Sequence, residues 1–256
     1  MKNRNFRRDS SGQVIVITAL LVAMVLLSTA IYVIETEKDV PTVGAGTNNV
    51  FLSYQQAARS TLISALANIT NGGNPDVLTV DLNKLESAVI SQSYQSILQM
   101  VFTPLNQGLY QNGVWVSTGI NGEGTSSAIV TLSINSTGAS STSSLECTLN
   151  VTSQVNLSGS SIQVNGTSNQ VNLRVEVFNE GKPALAQGFK FYYKDAVSGG
   201  NWTQATSPSI TDYGDGTYAV TFNAQTLQPG DPLVASMHCL DQRGILICAN
   251  VTCTNV

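Results

Sequence analysis

The chain has 256 residues, with 12 Lys and Arg against 16 Asp and Glu and a single His. Charged residues are 11% of it, less than half of the ~25% usual in globular domains, whereas Ser, Thr, Asn and Gln together number 91. The mildly acidic balance argues against a general nucleic-acid binder. The 42% hydrophobic content argues against disorder, and one His with few clustered acids argues against a His-based metal enzyme or catalytic triad.

The first element is a membrane span. Gln13 to Ile34, QVIVITALLVAMVLLSTAIYVI, is an uncharged run of 22 residues. At 1.5 Å per residue a helix of that length reaches about 33 Å, enough for a hydrocarbon core of ~30 Å. Lys2, Arg4, Arg7 and Arg8 precede it, and Glu35, Glu37, Lys38 and Asp39 follow. The positive-inside rule then places residues 1–12 in the cytoplasm as a basic leader and residues 35–256 outside. A cleaved secretory signal is the competing reading. Its apolar core would be ~7–15 residues ending at a small-x-small site, yet here Ser28-Thr29-Ala30 is followed by more apolar residues.

The stretch Arg7-Arg8-Asp9-Ser10-Ser11-Gly12-Gln13-Val14-Ile15-Val16-Ile17-Thr18-Ala19-Leu20 resembles the N-terminus of TadE/TadG-like pilus-assembly proteins and of archaeal pilin-like proteins. Those chains carry a short basic leader, a small residue and then an apolar helix. The resemblance implies leader cleavage between Gly12 and Gln13, and a helix able to pack in a filament. Where pilins carry Glu at the fifth position of the mature helix, this chain has Ile17. That departure turns the reading from a major pilin towards a TadG-like or simply anchored protein.

Residues 35–48 read as a linker. Phe51, Tyr54, Ala58, Leu62 and Ala65 recur at helical spacing, and Asn71-Gly72-Gly73-Asn74-Pro75 ends that helix. A second helix is expected from Asp81, its stripe running through Leu82, Leu85, Val89, Tyr94, Ile97 and Val101 to Pro104. From Val114 the period becomes two. Ala128, Val130, Leu132 and Ile134 alternate with Ile129, Thr131 and Ser133. After a Ser/Thr-rich turn at 136–144, Leu145, Cys147, Leu149, Val151, Ser153, Val155 and Leu157 share one parity. Such a strand has one buried and one wetted face. Residues 49–168 thus form a membrane-proximal α+β module.

Residues 169–256 carry short alternating runs separated by turn signals every 8–12 residues, the pattern of a sandwich. Asp212-Tyr213-Gly214-Asp215-Gly216-Thr217-Tyr218-Ala219-Val220-Thr221-Phe222, followed by Pro229-Gly230-Asp231, is similar to filamin-type and invasin-type immunoglobulin-like repeats. The similarity implies an Ig-like fold and leaves the ligand open. The expected fold class is therefore α+β, mainly β: a transmembrane helix, a small α+β module and a C-terminal Ig-like β-sandwich.

Few residues invite chemistry. Cys147, Cys239, Cys248 and Cys253 all lie on the expected outer side, and an even count in an oxidising compartment favours two disulfides. Of the three possible pairings, Cys239 with Cys248 is favoured, leaving Cys147 with Cys253; buried free thiols are the alternative, and zinc binding lacks any C-x2-C spacing. The N-x-[ST] signal occurs at Asn68, Asn135, Asn150, Asn156, Asn165, Asn201 and Asn250. Asn150 and Asn156 fall on the polar parity of their strand, where a glycan fits, and surface glycans are ordinary if the host is archaeal. Asp212 and Asp215 supply two carboxylates in a turn, too few for Ca²⁺, which takes six to eight oxygens. His238 has no evident partner. Tyr192, Tyr193, Trp202 and Tyr213 make either half-buried sandwich aromatics or a ligand patch. No catalytic, cofactor or metal site is expected. The function read is a non-enzymatic, single-pass surface protein, pilin-like or pilus-assembly-like. Its expected partners are the membrane and other pilus or surface-layer subunits, with neither nucleic acid nor a small-molecule substrate. The alternative is a tethered adhesin or sensor ectodomain.

Overall fold

Alternation of apolar and polar residues dominates the chain beyond residue 97, and strands dominate the fold accordingly. The computed structural model describes residues 45–92, 97–137, 142–195, 201–226 and 231–256. The basic leader, the Gly12-Gln13 junction and the expected span 13–34 lie outside the described residues. Among the described residues no helix is long and apolar enough to cross a membrane.

Helix α1 is Ala45–Thr70. Ala58, Leu62, Ala65 and Leu66 are fully buried, with Phe51 and Tyr54 packed at the margin, so the expected stripe is the inner face. The helix stops at Asn71-Gly72, where Gly72 takes φ +92° and the Asn71 side chain donates to the Ala67 carbonyl at 2.7 Å. Helix α2 is Val77–Gln92 and starts earlier than Asp81. Asn74 caps it, its Oδ1 accepting the Asp76 N–H at 2.9 Å. Pro75 follows the cap at the position that needs no N–H.

The second helix also ends sooner than its stripe predicts. Ile97 and Val101 belong to strand β1 (Ile97–Pro104), which pairs antiparallel with residues 130–137. Here the period of two wins over the period of 3.6. Met100 is buried, and Leu98 and Phe102 are half-buried on the same parity, so pairing buries that face where a helix would have scattered it.

The remaining strands are β2 (Val114–Thr118), β3 (Glu123–Thr137), β4 (Thr142–Asn165), β5 (Ser168–Asn179), β6 (Lys182–Pro183), β7 (Ala186–Asp195), β8 (Thr203–Gln204), β9 (Ser209–Asp212), β10 (Thr217–Gln225), β11 (Leu233–Asp241), β12 (Leu246–Thr252) and β13 (Thr254–Asn255). One sheet runs β1-β3-β4-β5-β10-β9, with β2 also on β3, β6 on β5, and β13 parallel on β4. The other runs β12-β11-β7-β8. The fold is mainly β, and its C-terminal part is a two-sheet sandwich.

Strand β4 organises the whole. Its 24 residues extend about 80 Å at ~3.3 Å per residue. Thr142–Asn156 pair with β3, and Ser153–Asn165 pair with β5. Its inner parity, Leu149, Val151, Val155 and Leu157, serves two cores in turn. Leu149 and Val151 join helices α1 and α2 with β3. Val155 and Leu157 join the sandwich core of Val171, Val175, Phe191, Tyr218, Phe222, Met237 and Ile247. The expected boundary at 168/169 falls at the first residue of β5, and the strand before it belongs to both cores.

The β2–β3 turn laces the two sheets together. Gly122 donates to the Asn250 carbonyl at 2.8 Å and accepts the Leu157 N–H at 2.7 Å, while Asn250 donates to the Gly119 carbonyl at 2.9 Å. Gly122 sits at φ +87°, and a Cβ there would collide with the Leu157 carbonyl oxygen. Only glycine fits both demands.

Candidate functional site

The cross-strand register of the second sheet gathers one polar row. Ser236 on β11 stands opposite Tyr192 on β7 and Asn250 on β12. These side chains take the parity opposite to Ala235, Met237 and Ala249, which face the sandwich core. His238 lies two residues along β11, its ring 5.1 Å from that of Tyr192. Trp202, immediately before β8, and Thr118, at the end of β2, complete a cavity of about 310 Å³. Ser236 is only 3% exposed although it points away from the core. Asn250 Oδ1 is buried without a hydrogen-bond partner; among the described residues Asn179 Oδ1 is the other such atom. Trp202 is 41% exposed, with Lys194 Nζ 4.9 Å from its ring centre. Burial, and then nearby Lys190, hold the His238 imidazole below its ordinary value, so the ring is neutral at pH 7.

Of the four aromatic residues singled out in the sequence, two reach this cavity. Tyr193 faces inward, its ring 6.1 Å from Phe222. Tyr213 is 61% exposed in the turn before β10.

The cysteines are not brought together. All four are free. Cys239 stands opposite Ile247, not Cys248, and is buried on the core face. Cys248 pairs across to His238 on the outer face. Side chains on opposite faces of a sheet point apart, which no disulfide geometry tolerates. Cys253 lies against Gly159, where a Cβ would be 3.1 Å from its Sγ. Gly159 is twelve residues along β4 from Cys147, about 40 Å in an extended strand. Burial pushes the Cys239 thiol up to about 12 and the Cys253 thiol up to about 11, so neither is a nucleophile at neutral pH.

The glycosylation signals divide by exposure. Asn68, Asn135, Asn150, Asn156, Asn165 and Asn201 are exposed, and Asn250 is half-buried in the cavity. In the Asp212–Gly216 turn both carboxylates are occupied by the turn itself. Asp212 accepts the Gly214 N–H at 2.7 Å and Asp215 the Thr217 N–H at 2.9 Å. The Thr217 donors hold the Asp215 carboxyl below its usual value. No group of three or more His, Cys, Asp or Glu side chains capable of holding a metal occurs among the described residues.

One cluster has no counterpart in the sequence reading. Asp241, fully buried, accepts four hydrogen bonds, from Arg243 N (2.8 Å), Ile245 N (2.9 Å), Arg243 Nε (2.8 Å) and Ser153 Oγ (2.7 Å). Arg243 also donates to Glu180 at 2.7 Å and to the Thr152 carbonyl at 3.1 Å. Arg59 of α1 reaches the same Glu180 oxygen at 3.3 Å. Burial lowers the Arg243 guanidinium's affinity for its proton, but Glu180 and Asp241 outweigh it and hold its value above the ordinary one. The cluster joins helix α1, strand β4 and two turns. The sequence offers only a local turn-forming run here, Asp241-Gln242-Arg243-Gly244, whose partners Glu180 and Ser153 lie 63 and 90 residues from Arg243.

No family model matches the chain, and no curated protein matches it. Among solved structures, a chimeric titin Z1Z2-Z1Z2 tandem functionalised with a GRGDS exogenous peptide from fibronectin matches at 11% identity, covering 63% of this chain and 85% of that one, with a TM-score of 0.20. Such a likeness carries no argument for fold or function.

Proposed function

We propose that the chain is a non-enzymatic, membrane-anchored surface protein, a pilin-like or pilus-assembly-like component that displays an Ig-like sandwich outside the cell. The observation that carries this is the uncharged run 13–34 with basic residues before it and acidic residues after it. The resemblance of residues 7–20 to TadE/TadG-like and archaeal pilin-like N-termini supports the same reading. So does the architecture: a strand common to both cores, and an ion cluster anchored on the buried Asp241, favour a stiff spacer over a hinged one. The work of such a protein is mechanical. The helix anchors, the α+β layer spaces, and the sandwich presents loops to neighbouring pilus or surface-layer subunits.

Protease added to intact cells is expected to remove residues 35–256 and leave a membrane-held N-terminal stub. Soluble protein beginning near residue 31 would overturn the anchor. Sequencing of the mature N-terminus then tests cleavage between Gly12 and Gln13, with co-purification in filaments as the second readout. The walled cavity on the second sheet favours one further reading, a tethered adhesin or sensor. An uncut N-terminus on a monomeric ectodomain would select it.

A further inference from the structure

We propose that the cavity lined by Thr118, Tyr192, Trp202, Ser236, His238 and Asn250 is a binding site for a neutral sugar residue. The inference goes beyond the anchoring role and holds whether the chain works in a filament or alone. Four features of the cavity select this chemistry. First, none of its six lining residues is charged, since His238 is neutral; the nearby Lys194 ammonium sits over the Trp202 ring, 4.9 Å from its centre, and does not line the cavity. Second, Tyr192 and Trp202 offer aromatic surfaces, which suit the apolar C–H face of a pyranose as they suit any flat apolar surface. Third, Asn250 Oδ1 is a buried acceptor without a donor. Buried polar atoms are nearly always paired, and Asn250 lines the cavity, so a turn of this side chain would bring the orphan to a donor there. A hydroxyl is such a donor. Fourth, Thr118, Ser236, His238 and Asn250 are all neutral hydrogen-bonding groups spread along the cavity. That suits a ligand with hydroxyls around its rim better than a nucleobase with one polar edge. At about 310 Å³ the cavity lies at the lower end of small-ligand sites, ~300–1,000 Å³, the size for one ring and not for an extended oligosaccharide.

The sugar has two sources. It is either a residue offered by another molecule or the first residues of the chain's own glycan at Asn201, an exposed sequon directly beside Trp202.

The test uses the full-length chain from a glycosylating host, held in a detergent without a sugar headgroup. It is titrated with the methyl glycosides of glucose, galactose, mannose and N-acetylglucosamine and read by saturation-transfer NMR. At least one is expected to saturate with a Kd on the order of millimolar. Trp202→Ala and Asn250→Ala are each expected to weaken it tenfold or more, with circular dichroism unchanged. Binding by the unaltered chain assigns the sugar to another molecule. Binding that emerges only in Asn201→Gln assigns it to the chain's own glycan. The proposal is overturned if no glycoside binds either form while both are folded, leaving a solvent-filled cavity. It is equally overturned if binding persists undiminished in both Trp202→Ala and Asn250→Ala.

Discussion

Gly216 shows how much a single backbone conformation carries. Its φ is +86°, and an added Cβ would lie 2.7 Å from the Ala184 carbonyl oxygen. Val177 N–H bonds the Gly216 carbonyl at 2.9 Å, and two residues on, Tyr218 is held by both backbone groups of Ala186. Gly216→Val forces a β-branched residue into the left-handed region, which costs about 1–3 kcal/mol before the clash is counted. A thermal melt should fall by several degrees; an unchanged midpoint would mean the turn relaxes freely. His238 gives a pH signature. Its folded value lies below the ordinary one, so the unfolded chain binds the proton first as pH falls. From about a unit above the ordinary value of roughly 6.5 both states are neutral and the residue is silent. Below it, stability is lost progressively until the folded value is passed. Denaturant midpoints measured from pH 7.5 to 5 should decline more steeply in the parent than in His238→Gln. Parallel declines would refute that assignment.

At the scale of elements, the strand pattern was readable and the handover between patterns was not. From Leu145 to Leu157 strand β4 matches its sequence parity, because that face meets the two cores in turn. The segment after Gln92 does not, since Val89, Ile97 and Val101 satisfy a helical period while Leu98, Met100 and Phe102 satisfy a strand period. Pairing with β3 decides between them, and pairing is non-local. The cavity was hidden for the same reason: Thr118 and Asn250 are far apart in sequence, lie in different sheets and meet only through the lacing of the β2–β3 turn to β12. Sharing of β4 also bears on dissection. Residues 169–256 alone lack Val155 and Leu157 and leave the inner edge of β5 unpaired. That fragment should show no cooperative melt by circular dichroism, whereas one beginning at residue 51 should. A cooperative melt of the short fragment would show that β4 is dispensable to the sandwich.

For the molecule as a whole, Asp241 is the point where the layers depend on one another. Residues 51–256 form one compact unit, and the β11–β12 turn reaches from the sandwich into the helical core through Ile245. Ser126 Oγ donates to the Leu246 carbonyl at 2.7 Å, and Leu246 N–H donates to Thr70 Oγ1 at 3.1 Å. Asp241→Ala leaves Arg243 half-buried with only Glu180 to balance it and strips two turn amides of their acceptor. Breaking one side of a buried pair costs about 3–5 kcal/mol. Chemical denaturation should report a loss of that order; a loss below about 1 kcal/mol would mean the cluster is solvated rather than structural.

The lacing by Gly119 to Gly122 has a consequence wherever copies of the chain meet at high concentration. An unpaired strand edge is an invitation to neighbours, and sheets that expose long flat edges stick to one another. By engaging both backbone groups of Asn250, the lace occupies part of the outer edge of β12. At the far ends of the sheets lie β8, with two residues, and β9, with four. Copies meeting at these edges therefore find little free backbone to pair with, which leaves β1, at the other end of the larger sheet, as the longer edge strand. Gly122→Val would lift the lace and bare the β12 edge. The expected outcome is concentration-dependent aggregation with thioflavin binding at protein levels where the parent stays monodisperse by light scattering. Equal dispersity in the two proteins would show that some other feature keeps neighbours apart.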